Sequence, residues 1–348
     1  MATIAVIGAG VTGLWQAFRL AQDGHAVRVI EQSAAPFESA ASRLAGAMLA
    51  AFCEGEAAEP WIVELGQQSV ALWREAFPET AQRGSLVVAL PRDLPELRRF
   101  ARMTEGHRRI GVEEMAALEP ALTDRYGQAL FYPEEGHLEP RRAMDALLRR
   151  AGEAGVEFTF GTAWNPADAQ SMRADHIIDC RGMGARADLP ELRGVRGEML
   201  VIETREVSLT RPVRLLHPRF PLYIVPWADN RFMIGASVIE SADKGAVTVR
   251  SALDLLGAAY ALNPAFGEAR ILYFGADIRP AFPDNAPHIL IRGRRIHVNG
   301  LYRHGFLLAP VLAGLVARYI REGTVRGDVF VEDHGQWRAA GNAGAHPG

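Results

Sequence analysis

Cysteine is scarce in this chain of 348 residues: there are two, Cys53 and Cys180, with no Cys-x-x-Cys pair and no histidine cluster beside them. A disulfide framework and a cysteine-based zinc site are therefore not expected. Neither a Ser/His/Asp set nor a metal-ligand spacing emerges among the 10 histidines, so no metal site is expected either. Lysine is reduced to Lys244, and 38 basic against 41 acidic residues leave a net charge of −3. That balance, without a basic stripe, does not fit a nucleic-acid partner or a membrane surface. No run of about eighteen apolar residues occurs, which argues against a spanning helix. The start MATIAVIGAGVTG has neither the basic lead nor the unbroken apolar stretch of a secretory signal. The expectation is a soluble, reduced, cytoplasmic protein whose homo-oligomeric state is open.

What the sequence does hold is apolar mass, 49% of its residues, enough for two domains' worth of core. Thr3–Ile7 and Ala26–Ile30 are short β-branched runs of buried-strand type, with helical spacing over Leu14–Gln22 between them. A small-residue segment, Ala40–Ala51, breaks the alternation. The spacing then predicts one helical stretch over Glu59–Phe77, a strand at Ser85–Leu90, a helix at Glu96–Thr104 and a strand at Gln128–Tyr132. A second αβ pair follows at Arg141–Glu153 and Val156–Phe160, then a short strand at Ile177–Cys180. From Glu198 to Leu272 strands dominate (Met199–Glu203, Leu222–Val225, Phe232–Ile234, Ile271–Phe274), with one helix at Ser251–Leu262. Strands at Ile289–Ile291 and Ile296–Val298 precede a long helix, Gly305–Arg321, in which Pro310 is expected to fall in the first turn. The economical architecture is α/β: a Rossmann-like dinucleotide domain (1–83, 140–195, 277–335) interleaved with an α+β antiparallel-sheet substrate domain (84–139, 196–276). A disordered tail is expected at 336–348.

The sharpest local signal is Gly8-Ala9-Gly10-Val11-Thr12-Gly13, placed between a strand and a helix. Gly8 permits the tight turn, Gly10 lets the backbone approach a pyrophosphate, and Gly13 lets helix and strand pack closely. The helix start, at Val11 and Thr12, offers amides and a favourable dipole. Glu31, with Gln32 after it, ends the second strand where a carboxylate can accept both ribose hydroxyls. The bland alternative is an ordinary glycine turn with a surface Glu. Strand, helix and acidic terminus in register favour an adenine dinucleotide, and the broken alternation after Glu31 favours FAD over NAD.

A second glycine turn and helix start lies at Val298–Pro310 (VNGLYRHGFLLAP). Here the chain resembles the D-amino-acid-oxidase-like FAD oxidoreductases, and within them the thiamine-pathway glycine oxidases. Other stretches fit the same pattern in order: Ser42–Ala51 with Met48-Leu49, Gly136–Pro140, Asp179–Gly182, Val195–Glu198, Tyr223–Pro226, Ile234–Ser237 and Ile278–Pro280. The resemblance implies non-covalent FAD, since no cysteine follows Cys180 to attach it. It places Gly300, Tyr302, Arg303, His304, Gly305, Phe306 and Leu307 over the flavin. Arg43, Ala45, Gly46, Ala47 and Met48 come from the small-residue loop, with Trp164, Arg181 and Gly182 nearby. Arg43 and Arg181 are candidates for the pyrophosphate, a solvated surface arginine being the rival reading for both.

The resemblance further implies oxidation of an amino acid or small amine with O2 as acceptor. Such chemistry needs the amine's α-carbon held in place and its carboxylate clamped elsewhere. A guanidinium fork matches a carboxylate, and Arg279 is the implied clamp; a strand-end surface ion pair is its alternative. Tyr223 is implied as a hydroxyl donor to the carboxylate, against a packed core aromatic. Arg303 sits beside the substrate, Met48 lines the pocket or simply packs, and His304 contributes at the helix start or is only a helix-terminal polar residue. Three departures bear on the substrate: Val238 where a Met is usual, Pro221 where a polar residue is usual, and Ala47 for a Gly. Val238 leaves more room. The implied activity is oxidative deamination of glycine or a small N-substituted glycine to imine and glyoxylate, with H2O2 formed, feeding thiamine thiazole synthesis. Sarcosine, an N-carboxymethyl amine or a D-amino acid are alternative substrates. A tRNA-uridine-modifying enzyme of the same fold fits the charge balance poorly.

Overall fold

The computed structural model describes residues 1–217 and 222–332, so Pro221 and the expected tail lie outside the described residues. Two large sheets organise them. The first has seven strands in the order Phe330–Glu332, His288–Arg292, Arg295–Asn299, His176–Asp179, Thr3–Ile7, Ala26–Ile30, Glu157–Thr159. Thr3–Ile7 runs parallel to both of its neighbours, Ala26–Ile30 and His176–Asp179. Three separated stretches of chain supply this sheet, as the interleaved reading expects. Helices Val11–Gln22, Pro140–Glu153 and Gly305–Glu322 cover it, burying Leu14, Ala17, Phe18, Leu147, Leu308 and Leu312 in one core.

The second sheet has nine strands, antiparallel except where Val213–Leu216 meets Ser85–Ala89. Period-two alternation sorts its side chains. Leu86, Leu200, Ile202, Leu215, Ile224 and Ile234 face helix Val249–Leu262, while Met199, Val201, Val225 and Met233 face the opposite way. The spine of this sheet is the antiparallel pair Arg193–Glu203 and Arg270–Ala281, in one register from Arg193↔Ala281 to Val201↔Tyr273 and shifted by a residue from Ile202↔Ile271 to Glu203↔Arg270. Both strands exceed the expected Met199–Glu203 and Ile271–Phe274. Their additional halves, RGVRGE and GADIRPA, carry arginine and glycine instead of alternating apolar residues because they flank a cavity rather than a core.

Two helical expectations need correction. The stretch Glu59–Phe77 is not one helix but two, Pro60–Gly66 and Ser69–Ala76. Gly66 ends the first where a Cβ would lie 3.0 Å from Ala51 Cβ and 3.1 Å from Leu307 Cδ2, so the chain closes onto the C-terminal helix there. Pro310 is inside helix Gly305–Glu322, one turn past the expected place. Its missing N–H leaves the Phe306 carbonyl without a helical donor. Trp73, fully buried, supplies one: its Nε1 donates to Phe306 O at 2.8 Å, with Ser69 Oγ at 3.4 Å. Trp73→Phe keeps the stacking on Phe306 but removes that donor. It is expected to cost about 1–3 kcal/mol in urea unfolding, and an unchanged midpoint would show the carbonyl is satisfied otherwise.

Candidate active site

The carboxyl ends of the parallel strands face the inner side of the second sheet across a cavity of about 1070 Å³. At one end the glycine turn is built as its spacing implies. Gly8 takes φ +97°, and a Cβ there would lie 2.9 Å from Cys180 O. A Cβ on Gly13 would lie 1.9 Å from Gly8 O, so only glycine lets the helix seat on the turn. Gly10 differs: a Cβ there would meet nothing closer than 3.7 Å, leaving this stretch of backbone open to a ligand. Glu31 is buried and fixed, Oε2 accepting from Ala9 N at 2.7 Å and Oε1 from Ser33 N at 2.9 Å. Val11 N donates to Ser42 Oγ at 3.3 Å, which ties the helix start to the small-residue loop.

Gly8, Gly10, Val11, Thr12, Glu31, Gln32, Trp164, Arg181 and Gly182 all line this end, whereas Gly13 is packed behind it. Arg181 is no solvated surface group. Its guanidinium donates to Asp179 at 2.9 and 2.7 Å, pairs with Asp188, and lies 4.7 Å over the Trp164 ring. Burial opposes charge on Asp179, but hydrogen bonds from His297 and Arg181 hold its carboxyl well below the usual range. Arg43 turns to Asp277 (2.9 Å) and the Ala40 carbonyl (2.9 Å) and does not line the cavity.

At the other end Ala45, Gly46, Ala47, Met48, Tyr223, Arg279 and Tyr302–Leu307 come together. Gly300, at φ +75°, sits behind them, where a Cβ would lie 2.1 Å from the Phe282 ring. Ala47 has φ +50°, the left-handed region in which glycine is at ease, so the family's usual residue there has a backbone reason. Gly46 makes room for Tyr223, whose Cε2 would be 2.7 Å from a Cβ. Burial pushes the Tyr223 phenol up, so it remains an O–H donor. Arg279 lies across Gly197, where a Cβ would fall 2.2 Å from Nη2, and donates to Ser237 O at 3.2 Å. Among the described residues it makes no ion pair, so the surface-pair alternative is not what is found.

Sequence reasoning missed Glu54 and Gly197. Glu54 Oε2 accepts from Arg303 Nε and Nη2, both at 2.7 Å, and from His304 Nε2 at 2.9 Å. Burial opposes its charge, but Arg303, then His304 and Arg214, hold the carboxyl well below its ordinary value. His304 is therefore more than a polar helix end. Arg303 stands in the cavity with its charge already matched, which leaves Arg279 as the open guanidinium. Cys53 and Cys180 are both buried with their thiols pushed up, first by burial, so neither is a reactive thiolate.

Beneath this end Glu135 accepts from Cys53 N at 2.9 Å and from Ser85 Oγ. Burial pushes it up to about 7 despite those bonds. The unfolded chain releases this proton near 4.5, so the stability tied to the protonated carboxyl is complete below that pH and lost as pH rises through about 7. Glu135→Gln is expected to match the wild type near pH 4.5 and to be the more stable in urea unfolding above about pH 8. A gap independent of pH would contradict this.

The strand-turn-helix turn, the fixed Glu31, the open backbone at Gly10 and a second helix start at the far end fit an extended flavin dinucleotide, and define a flavin-dependent oxidoreductase. Among the described residues no group of side chains could hold a metal ion, and no helix is long and apolar enough to cross a membrane. Over residues 3–319 the chain matches the FAD dependent oxidoreductase family, described as DAO, and it belongs to that family. It is 50% identical over 316 residues to a candidate thiamine biosynthesis oxidoreductase, ThiO, of Rhizobium etli, with 90% of this chain and 95% of the relative covered. A glycine oxidase of Geobacillus kaustophilus is 27% identical over 362 residues, with 90% and 91% covered. The crystal structure of glycine oxidase from that organism has a TM-score of 0.78 at 24% identity, covering 93% of this chain and 95% of that one, and shares the fold. The expected family, fold class and FAD cofactor are borne out.

Proposed function

We propose that this chain oxidises glycine, or a small N-substituted glycine, to the imine that hydrolyses to glyoxylate, in the supply of thiamine's thiazole ring. The observation that carries this reading is Arg279: an unpaired guanidinium laid over Gly197 in the cavity, on the same sheet face as the Tyr223 hydroxyl. Arg279 takes the carboxylate through its fork, and Tyr223 donates a second hydrogen bond to the same group. With the carboxylate fixed there, Met48 and the Ala45–Ala47 loop bound the space left for the α-carbon and amine. The His304–Gly305 helix start supplies favourable amide dipoles, and Glu54 holds Arg303 beside it. When bound, FAD supplies the two-electron acceptor and returns the electrons to O2 as H2O2. Val238, 57% exposed at the cavity wall, favours N-substituted substrates such as sarcosine as a second reading. Oxygen uptake with glycine and with sarcosine tests the reading. Uptake is expected with one glyoxylate formed per turnover, and catalase is expected to return half of the oxygen. Uptake that catalase leaves unchanged would overturn the assigned acceptor chemistry.

A further inference from the structure

One buried cation on the cavity wall has no part in the chemistry above. In strand Val213–Leu216, Val213 and Leu215 enter the core beneath helix Val249–Leu262, which turns Arg214 to the cavity face. Its register partners are Tyr223 on one side and Val87 on the other. Tyr223 in turn opposes Gly235, and Gly235 opposes Met199. Arg214 is thus flanked across the sheet by the uncharged residues Tyr223 and Val87.

Burying a guanidinium there is costly unless it is well matched. Its own matches are loose: Nη2 is 3.5 Å from Glu54 Oε1, Nη1 is 4.0 Å from Glu56 Oε2, and Cζ lies 5.6 Å over the Phe100 ring. Both carboxylates are held more closely by other cations, Glu54 by Arg303 at 2.7 Å and Glu56 by Arg99 at 2.6 Å. The side chain keeps 15% exposure, and the residue lines the cavity. Arg279 overlies the strand of Gly197, and Arg214 stands three strands further on, roughly 14 Å at the usual strand spacing. Tyr223 lies between them, and Val238 and Lys244 line the same end.

We infer that Arg214 is a second carboxylate-recognition point, which makes the preferred substrates secondary amines with a carboxylate on each arm, iminodiacetate being the simplest. The inference rests on the amine-oxidase reading. One carboxylate is held by Arg279, the other pairs with Arg214, and the amine lies between them near Tyr223. Only the arm held by Arg279 is oxidised, as glycine would be: its α-hydrogen leaves with the electron pair for the flavin, the amine N–H proton is released, and water adds to the resulting imine to give glyoxylate and free glycine.

The test uses the FAD-loaded enzyme and two unreactive ethers, diglycolate with two carboxylates and methoxyacetate with one, titrated against the flavin absorbance spectrum. Diglycolate is expected to bind about tenfold or more tighter. In Arg214→Met the ratio of the two affinities is expected to fall to near one, and in Arg214→Lys to fall partway. The ratio of kcat/KM for iminodiacetate over sarcosine should fall in parallel. Equal affinities in the wild type overturn the inference. A loss shared equally by both ligands, leaving the ratio intact, also overturns it, because Arg214 would then be only a counter-charge for Glu54 and Glu56. Should Arg214→Met fail to fold, the wild-type ratio and Arg214→Lys decide alone. Failure of both glycine and sarcosine to reduce the flavin sinks the amine-oxidase reading itself, a result distinct from equal ether affinities.

Discussion

Arg279→Ala is expected to keep FAD and to lose about 10³-fold in kcat/KM for glycine, the scale of deleting one partner of a desolvated, hydrogen-bonded charge pair. FAD retention follows from position: Arg279 lies at the substrate end, whereas Gly8–Gly13 and Glu31 build the nucleotide end without it. Gly197→Ala should reproduce most of that loss while leaving every charge in place. Its Cβ would occupy the space 2.2 Å from Arg279 Nη2, so the guanidinium must swing out. Steady-state kinetics on both variants, with FAD content measured by absorbance, checks the pair. Arg279→Ala with near-wild-type kcat/KM would remove the carboxylate clamp from the account. Gly197→Ala with full activity would show instead that the arginine can clamp from another rotamer.

Glu54→Leu is expected to destabilise the fold by about 3–5 kcal/mol, because it leaves Arg303 and His304 without the anion that holds them. The same change should weaken FAD binding, since His304, which Glu54 holds, stands at the boundary of the helix whose start faces the cavity. Glu54→Gln keeps the shape and one acceptor and should fall between. The folded carboxyl sits below its ordinary value, so its contribution is present above that value and lost as pH falls through the folded one. The stability gap between wild type and Glu54→Gln should therefore close in acid. Urea unfolding against pH and FAD titration report the two effects. A gap that persists in acid would mean that shape, not charge, is what Glu54 contributes.

What the sequence made legible, and what it hid, divides along range. The nucleotide unit is local: strand, turn, helix and acidic terminus fit within Thr3–Glu31, and each has a pattern with a physical cause. The assembled end of the site is not local. Glu54 and His304 are 250 residues apart, and nothing in AFCEGE distinguishes a buried carboxylate from a solvated one. Gly197 stood in a recognisable stretch, but its reason, the guanidinium lying across it, exists only once two long strands pair. The sequence pattern marks only part of each strand because their cavity-facing halves give up alternation where core packing no longer selects it. Pro310 lies a turn deeper in its helix than local rules place a proline for a similar reason: a tertiary donor, Trp73, satisfies the carbonyl that intrahelical bonding would leave open.

Anaerobic mixing of the FAD-loaded protein with glycine or with sarcosine decides whether this chain is an amine oxidase. At least one of these amines is expected to bleach the flavin's long-wavelength absorbance, and admitted oxygen to restore it. Flavin that dithionite bleaches but neither amine does would contradict the amine-oxidase reading.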